Sequence, residues 1–154
     1  MLLVALALLC TPAASFSAEA PTREEYVAQL ESICQPRVEA TERAMKGAKR
    51  DLRAERDAVA AAKFERGFRL FADTLDRMVS VPRPSADLAK LKTWFGYLDE
   101  QERYLRKIIA NLRAGRTIKA QRAISRFIHN GNLANNTVLA FEFNYCFFRY
   151  SRFG

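Results

Sequence analysis

Residues 85–115, SADLAKLKTWFGYLDEQERYLRKIIANLRAG, contain the strongest helical pattern in the chain. Apolar residues recur there every three or four positions, which places them on one face of an α-helix. Ser85 suits the start of this helix as an N-cap, with Asp87 in the first turn. Gly115 suits its end, because glycine readily adopts the left-handed conformation that closes a helix. The apolar face comprises Leu88, Leu91, Phe95, Leu98, Leu105, Ile109 and Leu112.

Two further helices are predicted before this one. Thr22 and Glu25 form a capping-box pattern that starts the first helix, and Pro36 is expected to kink or restart it. The first turn between helices is expected within residues 49–57, which are highly charged. The next helix has an apolar face and ends before the two prolines of residues 81–84. That face comprises Phe64, Phe68, Phe71, Leu75 and Met78.

A fourth helix follows Gly115, and its apolar face is weaker. Asn130 and Gly131 are poor helix formers, so a break is expected near them. The face comprises Ala120, Ile124, Phe127, Gly131, Ala134, Val138 and Phe141. From Phe141 to Phe147 aromatic residues alternate, which is not a helical period. The sequence therefore predicts an all-α, antiparallel four-helix bundle of up-down-up-down topology, with an extended aromatic C-terminal tail lying on it.

The N-terminus has the character of an export signal. Residues 2–9 are apolar and uncharged, and Pro12 and several small residues follow them. We expect residues 1–17 to be a signal peptide and residues 18–154 to form a single helical-bundle domain. A lipoprotein that is acylated on Cys10 is the alternative. The apolar run is too short to span a bilayer, which needs about 20 residues. The predicted location is therefore secreted or cell-envelope, outside the cytoplasm.

Two cysteines, Cys34 and Cys146, remain in the predicted mature chain. In an exported protein an even number of cysteines usually indicates pairing, and only one intramolecular disulfide is possible here. Four antiparallel helices return the chain to its starting end, so the tail could reach the first helix. Two buried free thiols are the alternative.

Short motifs resemble those of small exported actinobacterial helical proteins of unknown function. They are Ser32-Ile33-Cys34, Pro82-x-Pro84, Arg113-Ala114-Gly115 and a single cysteine near the C-terminus. The resemblance implies a helical bundle with one disulfide in an exported protein, and it implies no activity.

Positive charge is concentrated in the C-terminal third. Residues 103–154 contain 10 basic side chains and one acidic side chain, Glu142, in a chain of net charge +8. Cations near the start of a helix oppose its dipole, and a bound anion would relieve that repulsion. We therefore predict an anion site at the junction of the third and fourth helices, against the alternative of a solvated basic surface. The predicted site comprises Arg113, Arg116, Lys119 and Arg122.

The tail combines aromatic and basic side chains, a composition that suits a lipid interface. A membrane-contact hypothesis therefore covers Phe147, Phe148, Arg149, Tyr150, Arg152 and Phe153. Packing of these residues on the bundle is the alternative.

The sequence contains little that favours catalysis. His129 is the one histidine, and no haem-attachment, P-loop or dinucleotide-binding motif is present. Glu102 interrupts the apolar face of the third helix, either as a perturbed acid or as the partner of an arginine. We expect no metal, no cofactor and no specific nucleic-acid partner. The predicted function is a non-enzymatic binding or structural module outside the cytoplasm. The alternative is peripheral binding of anionic membrane or cell-wall polymer through the basic C-terminal half.

Overall fold

The computed structural model describes residues 20–147 and residue 149. Four long helices form the bundle, and a fifth, short helix lies in the first connection. Within the described residues no strand is present. The helices are α1 (Arg23–Met45), α2 (Ala48–Arg53), α3 (Asp57–Val79), α4 (Leu88–Arg113) and α5 (Thr117–Thr137). The 3-10 turns Ser85–Asp87 and Leu139–Phe141 precede α4 and follow α5.

Packing follows the order of the chain, because consecutive long helices are joined by short connections. Helix α3 packs against α1 and α4, and α4 packs against α5. Large apolar side chains from all four long helices meet in one core, among them Leu30, Phe64, Trp94 and Phe127. The predicted antiparallel four-helix bundle is confirmed.

Both ends of α4 are clearly defined, but its start differs from the prediction. Gly115 has φ +62°, and the amides of Gly115 and Arg116 donate to the carbonyls of Leu112 and Asn111. This is the glycine-dependent helix end that the sequence predicts. Ser85, however, is not the N-cap of α4. It begins the preceding 3-10 turn, and Asp87 occupies the N-cap position.

Asp87 has a tertiary role instead of a capping role. Its carboxylate accepts from Arg23 Nε at 2.8 Å and from Arg23 Nη2 at 2.7 Å. The ion pair joins the start of α1 to the start of α4. The N-cap of α1 is Thr22, and the predicted capping box with Glu25 is present.

Two helices continue past positions where the sequence predicts a break or a restart. Helix α1 continues through Pro36, and α5 continues through Asn130 and Gly131. Asn130 is buried, and its side-chain amide donates to the carbonyl of Tyr97 in α4 at 2.9 Å. Tertiary contacts therefore override the weak helix propensity of residues 130–131. Pro36 is exposed on α1.

A buried carboxylate anchors the first connection. Asp51 in α2 is 2% exposed, and it pairs with Lys63 of α3 and with Arg56. Hydrogen bonds from Lys63 and Arg56 hold the pKa of Asp51 below its ordinary value of 3.8. The hydrogen bond from Arg23 likewise lowers the pKa of Asp87.

These two carboxylates predict acid sensitivity. A carboxyl group with a lowered pKa in the folded state stabilises the fold above its unfolded pKa, and this contribution is lost as the pH falls through the folded value. The free energy of unfolding, measured in urea, should therefore change little from pH 7 to about pH 5 and fall below about pH 4.

A matched pair of variants isolates the contribution of Asp87. Asp87→Asn should lower the stability at pH 7 and flatten its decline below pH 4. Asp76→Asn, at an exposed position of α3, should leave the stability at pH 7 and its decline below pH 4 unchanged. An undiminished decline in Asp87→Asn would show that the Arg23 pair does not cause the acid sensitivity.

The bundle is closed covalently. Cys34 of α1 and Cys146 of the tail form a disulfide with Cα atoms 5.2 Å apart, across a separation of 112 residues. Both cysteines are fully buried. The predicted pairing is therefore present, and it joins the tail to the middle of α1.

Loss of this disulfide should destabilise the fold strongly. Because the closed loop is long, the double variant Cys34→Ala/Cys146→Ala should lose about 2–5 kcal/mol of unfolding free energy in urea. A reductant should destabilise the oxidised wild-type chain by a similar amount and leave the double variant unaffected. Equal stability of variant and wild type would contradict this account.

Candidate functional site

The C-terminal tail runs beside α1 in the same direction as the helix. Tyr26, near the start of α1, contacts Phe141, with ring centroids 6.4 Å apart. Two turns further along α1, Cys34 is bonded to Cys146. The tail thus forms a wall along α1 that begins where α5 ends.

Glu31 holds the backbone of this wall. Its carboxylate accepts from the amides of Asn144, Tyr145 and Cys146 at 2.9–3.2 Å. The tail lacks regular secondary structure here, so these amides need another acceptor. A single carboxylate on the facing helix supplies it.

Aromatic packing holds the beginning of the tail. Phe141 and Phe143 are buried, and Phe143 stacks on Trp94 of α4 at 5.4 Å. Phe141 stacks on Phe143 at 5.5 Å. Burial raises the pKa of Tyr26, which is fully buried beside Phe141, to about 12. The beginning of the tail is therefore part of the hydrophobic core.

A cavity of about 280 Å³ lies between the later part of the tail and the helices. Its apolar lining comes from several elements and includes Val38, Met45, Phe64, Phe71, Leu105 and Phe127. Asn144, Tyr145, Phe147 and Arg149 line it from the tail side. The tail is therefore one wall of an otherwise helical cavity.

About half of the lining residues are polar or charged, and they come from α1, α3 and the tail. Arg37 lines the cavity and also pairs with Asp73 at 2.7 Å, while Arg149 is exposed. Thr74 is buried, and its hydroxyl donates to the carbonyl of Leu70. The surface of the cavity is nevertheless mostly apolar, as in small-molecule pockets, which enclose roughly 300–1,000 Å³.

Gly67 brings α1 and α3 close together at this cavity. A Cβ atom at this position would come within 2.8 Å of Met45 Sδ. The apolar face predicted for α3 passes through Gly67, so a small residue there is the one sequence signal near the cavity. The cavity itself and the role of Glu31 had no such signal, since both depend on the path of the tail.

The four residues of the predicted anion site do not form one cluster. Arg113 donates to Glu65 of α3 at 2.5 Å, and Arg116 is exposed at the N-cap of α5. Lys119 and Arg122 line a second, shallow pocket between α4 and α5. Of the four, these two share a pocket, and a site at the helix junction stays a prediction.

The predicted membrane-contact residues are only partly described. Phe147 is half-buried against the core, and Arg149 is exposed. Phe148, Tyr150, Arg152 and Phe153 lie outside the described residues, as do the predicted signal peptide and Cys10. Phe147 therefore contributes to the bundle as well as to the cavity wall.

The remaining candidates have ordinary surroundings. Glu102 pairs with Arg106 at 2.6 Å, one turn along α4, and His129 is exposed on α5. No group of three or more potential metal ligands occurs among the described residues. No described helix has the length and hydrophobicity needed to span a membrane.

The chain matches no known protein-family profile, no curated protein and no solved structure.

Removal of the Glu31 carboxylate should destabilise the fold. Glu31→Ala should remove the protein acceptor of three tail amides and lower the free energy of unfolding in urea by about 1–3 kcal/mol, because a hydrogen bond to a charged group contributes about this much. Glu39→Ala, two turns later on α1 and paired only loosely with Arg43 at 3.8 Å, should cost less than about 0.5 kcal/mol.

Hydrogen exchange locates the effect. Amide exchange at residues 144–146 should accelerate in Glu31→Ala and stay slow in Glu39→Ala. Unchanged exchange in Glu31→Ala would show that the disulfide alone holds the tail.

Proposed function

We propose that this protein is an exported, non-enzymatic binding module that takes a small apolar or amphipathic molecule in the cavity beneath its tail. The observation that carries the proposal is the cavity of about 280 Å³, bounded by helices and tail. Export is supported by the predicted signal peptide and by the disulfide, since disulfides persist mainly in oxidising compartments.

The volume of the cavity indicates the size of the ligand. This volume of about 280 Å³ lies just below the range for small-molecule pockets. A single medium-length acyl chain or a compound of one or two rings fits this space better than a large ligand. The apolar lining would bind the body of the molecule by the hydrophobic effect.

The polar end of such a ligand would lie toward the exposed residues. Arg149 and Glu39 line the cavity and are both exposed, so the opening carries charges of both signs. The opening therefore favours a polar headgroup without requiring a net negative one. Binding should depend mainly on the apolar part.

Titration calorimetry with decanol and decanoate tests this function on the oxidised chain. Both ligands should bind, with affinities within about tenfold of each other, because the cavity lining is common to both. Their binding should show a negative heat-capacity change, which marks the burial of apolar surface.

A cavity-filling variant supplies the critical comparison. Val38→Trp introduces a large side chain at a half-buried position of the lining and should weaken binding at least tenfold. Val59→Trp makes the same change on the exposed surface of α3, where Val59 is 48% exposed, and should leave binding unaltered. Absence of binding to wild type, or equal binding by the two variants, would contradict the proposal.

A further inference from the structure

The basic side chains of this protein differ in whether they have partners. Some are paired with carboxylates, such as Arg23 with Asp87 and Arg113 with Glu65, and others are not. Among the described residues, four basic side chains that share one pocket have no ion pair. They are Lys107 of α4 and Lys119, Arg122 and Arg126 of α5.

The pocket that these four line has a volume of about 200 Å³ and lies between α4 and α5. Tyr104 and Asn111 complete the polar lining, and Lys107 Nζ lies 5.4 Å from the centre of the Tyr104 ring. No acidic side chain lines the pocket, in keeping with the absence of Asp and Glu from residues 103–141. Four positive charges therefore face the same space without a described counter-charge.

Such an arrangement is unfavourable until an anion enters it. Like charges in one pocket repel one another, and a multivalent oxyanion would replace that repulsion with charge-assisted hydrogen bonds. Arginine suits this role because its planar guanidinium can donate two parallel hydrogen bonds to a phosphate group.

We propose that this pocket binds consecutive phosphate groups of a soluble linear polyanion. Lys119, Arg122 and Arg126 succeed one another along about 10 Å of α5, which allows one chain to contact all three. The pocket shares no lining residue with the apolar cavity. The proposal is therefore independent of the proposed function.

The arrangement favours a linear polymer, because successive groups of one chain can meet Lys119, Arg122 and Arg126 in turn along α5. This proposal places the binding of an anionic polymer on the four basic residues of the pocket. Two of them, Lys107 and Arg126, are not part of the site predicted from the sequence.

Fluorescence anisotropy with labelled linear inorganic polyphosphate tests the proposal at low ionic strength. Lys119→Gln/Arg122→Gln should weaken binding about 5- to 30-fold, since each removed contact is equivalent to roughly 0.5–1 kcal/mol. The slope of log affinity against log salt should also become shallower, because fewer phosphates are neutralised.

A charge-matched control separates the pocket from the net charge of +8. Arg53→Gln/Lys92→Gln removes the same two charges at exposed positions outside the pocket and should weaken binding less than about twofold. All four substituted side chains are exposed, so thermal unfolding should be similar in both variants. Equal weakening in the two variants would show that net charge alone attracts the polyanion, and would overturn the proposal.

The absence of polyphosphate binding at low salt would also overturn the proposal. If vesicles containing an anionic phospholipid then bind, and lose binding in Lys119→Gln/Arg122→Gln, the pocket serves a membrane surface instead.

Discussion

The attachment of the C-terminal tail to α1 is the constraint on which the rest of this structure depends. The disulfide between Cys34 and Cys146 fixes one point of the tail covalently, and Glu31 holds the backbone just before it. The tail has no regular hydrogen bonding of its own in this region. Ordering residues 144–146 costs conformational entropy, and these two attachments help to offset it.

The sequence could predict the helices because their signals are local. The capping box at Thr22, the periodic apolar face of α4 and the glycine at position 115 each act within one helix. The predictions failed where a tertiary contact decides the local structure. Asn130 weakens a helix in isolation, yet its side chain bonds to α4 and is buried there. Ser85 looks like a cap, but the bond from Arg23 to Asp87 fixes the start of α4.

The candidate sites were harder to predict, for the same physical reason. The pairing of the cysteines followed from their number and from the topology, but the cavity depends on the path of the tail between α1 and the remaining helices. Nothing in the periodicity indicates that path. The basic pocket was predicted in part. The excess of positive charge in residues 103–154 can be read from the sequence. The loss of Arg113 from the predicted site cannot, because its pairing with Glu65 depends on how α3 and α4 pack.

The cavity exists where the tail, and not a helix, forms one side of the bundle. Consecutive long helices pack closely, but contact between α1 and α5 is much smaller among the described residues. The tail lies along α1 and packs its first aromatic residues against Trp94. It therefore forms a wall on the side of the bundle where α1 and α5 make little contact. The cavity lies beneath the later part of this wall, where Asn144, Tyr145, Phe147 and Arg149 line it. The shape of the cavity therefore depends on the two attachments that hold the tail in place, the carboxylate of Glu31 and the disulfide.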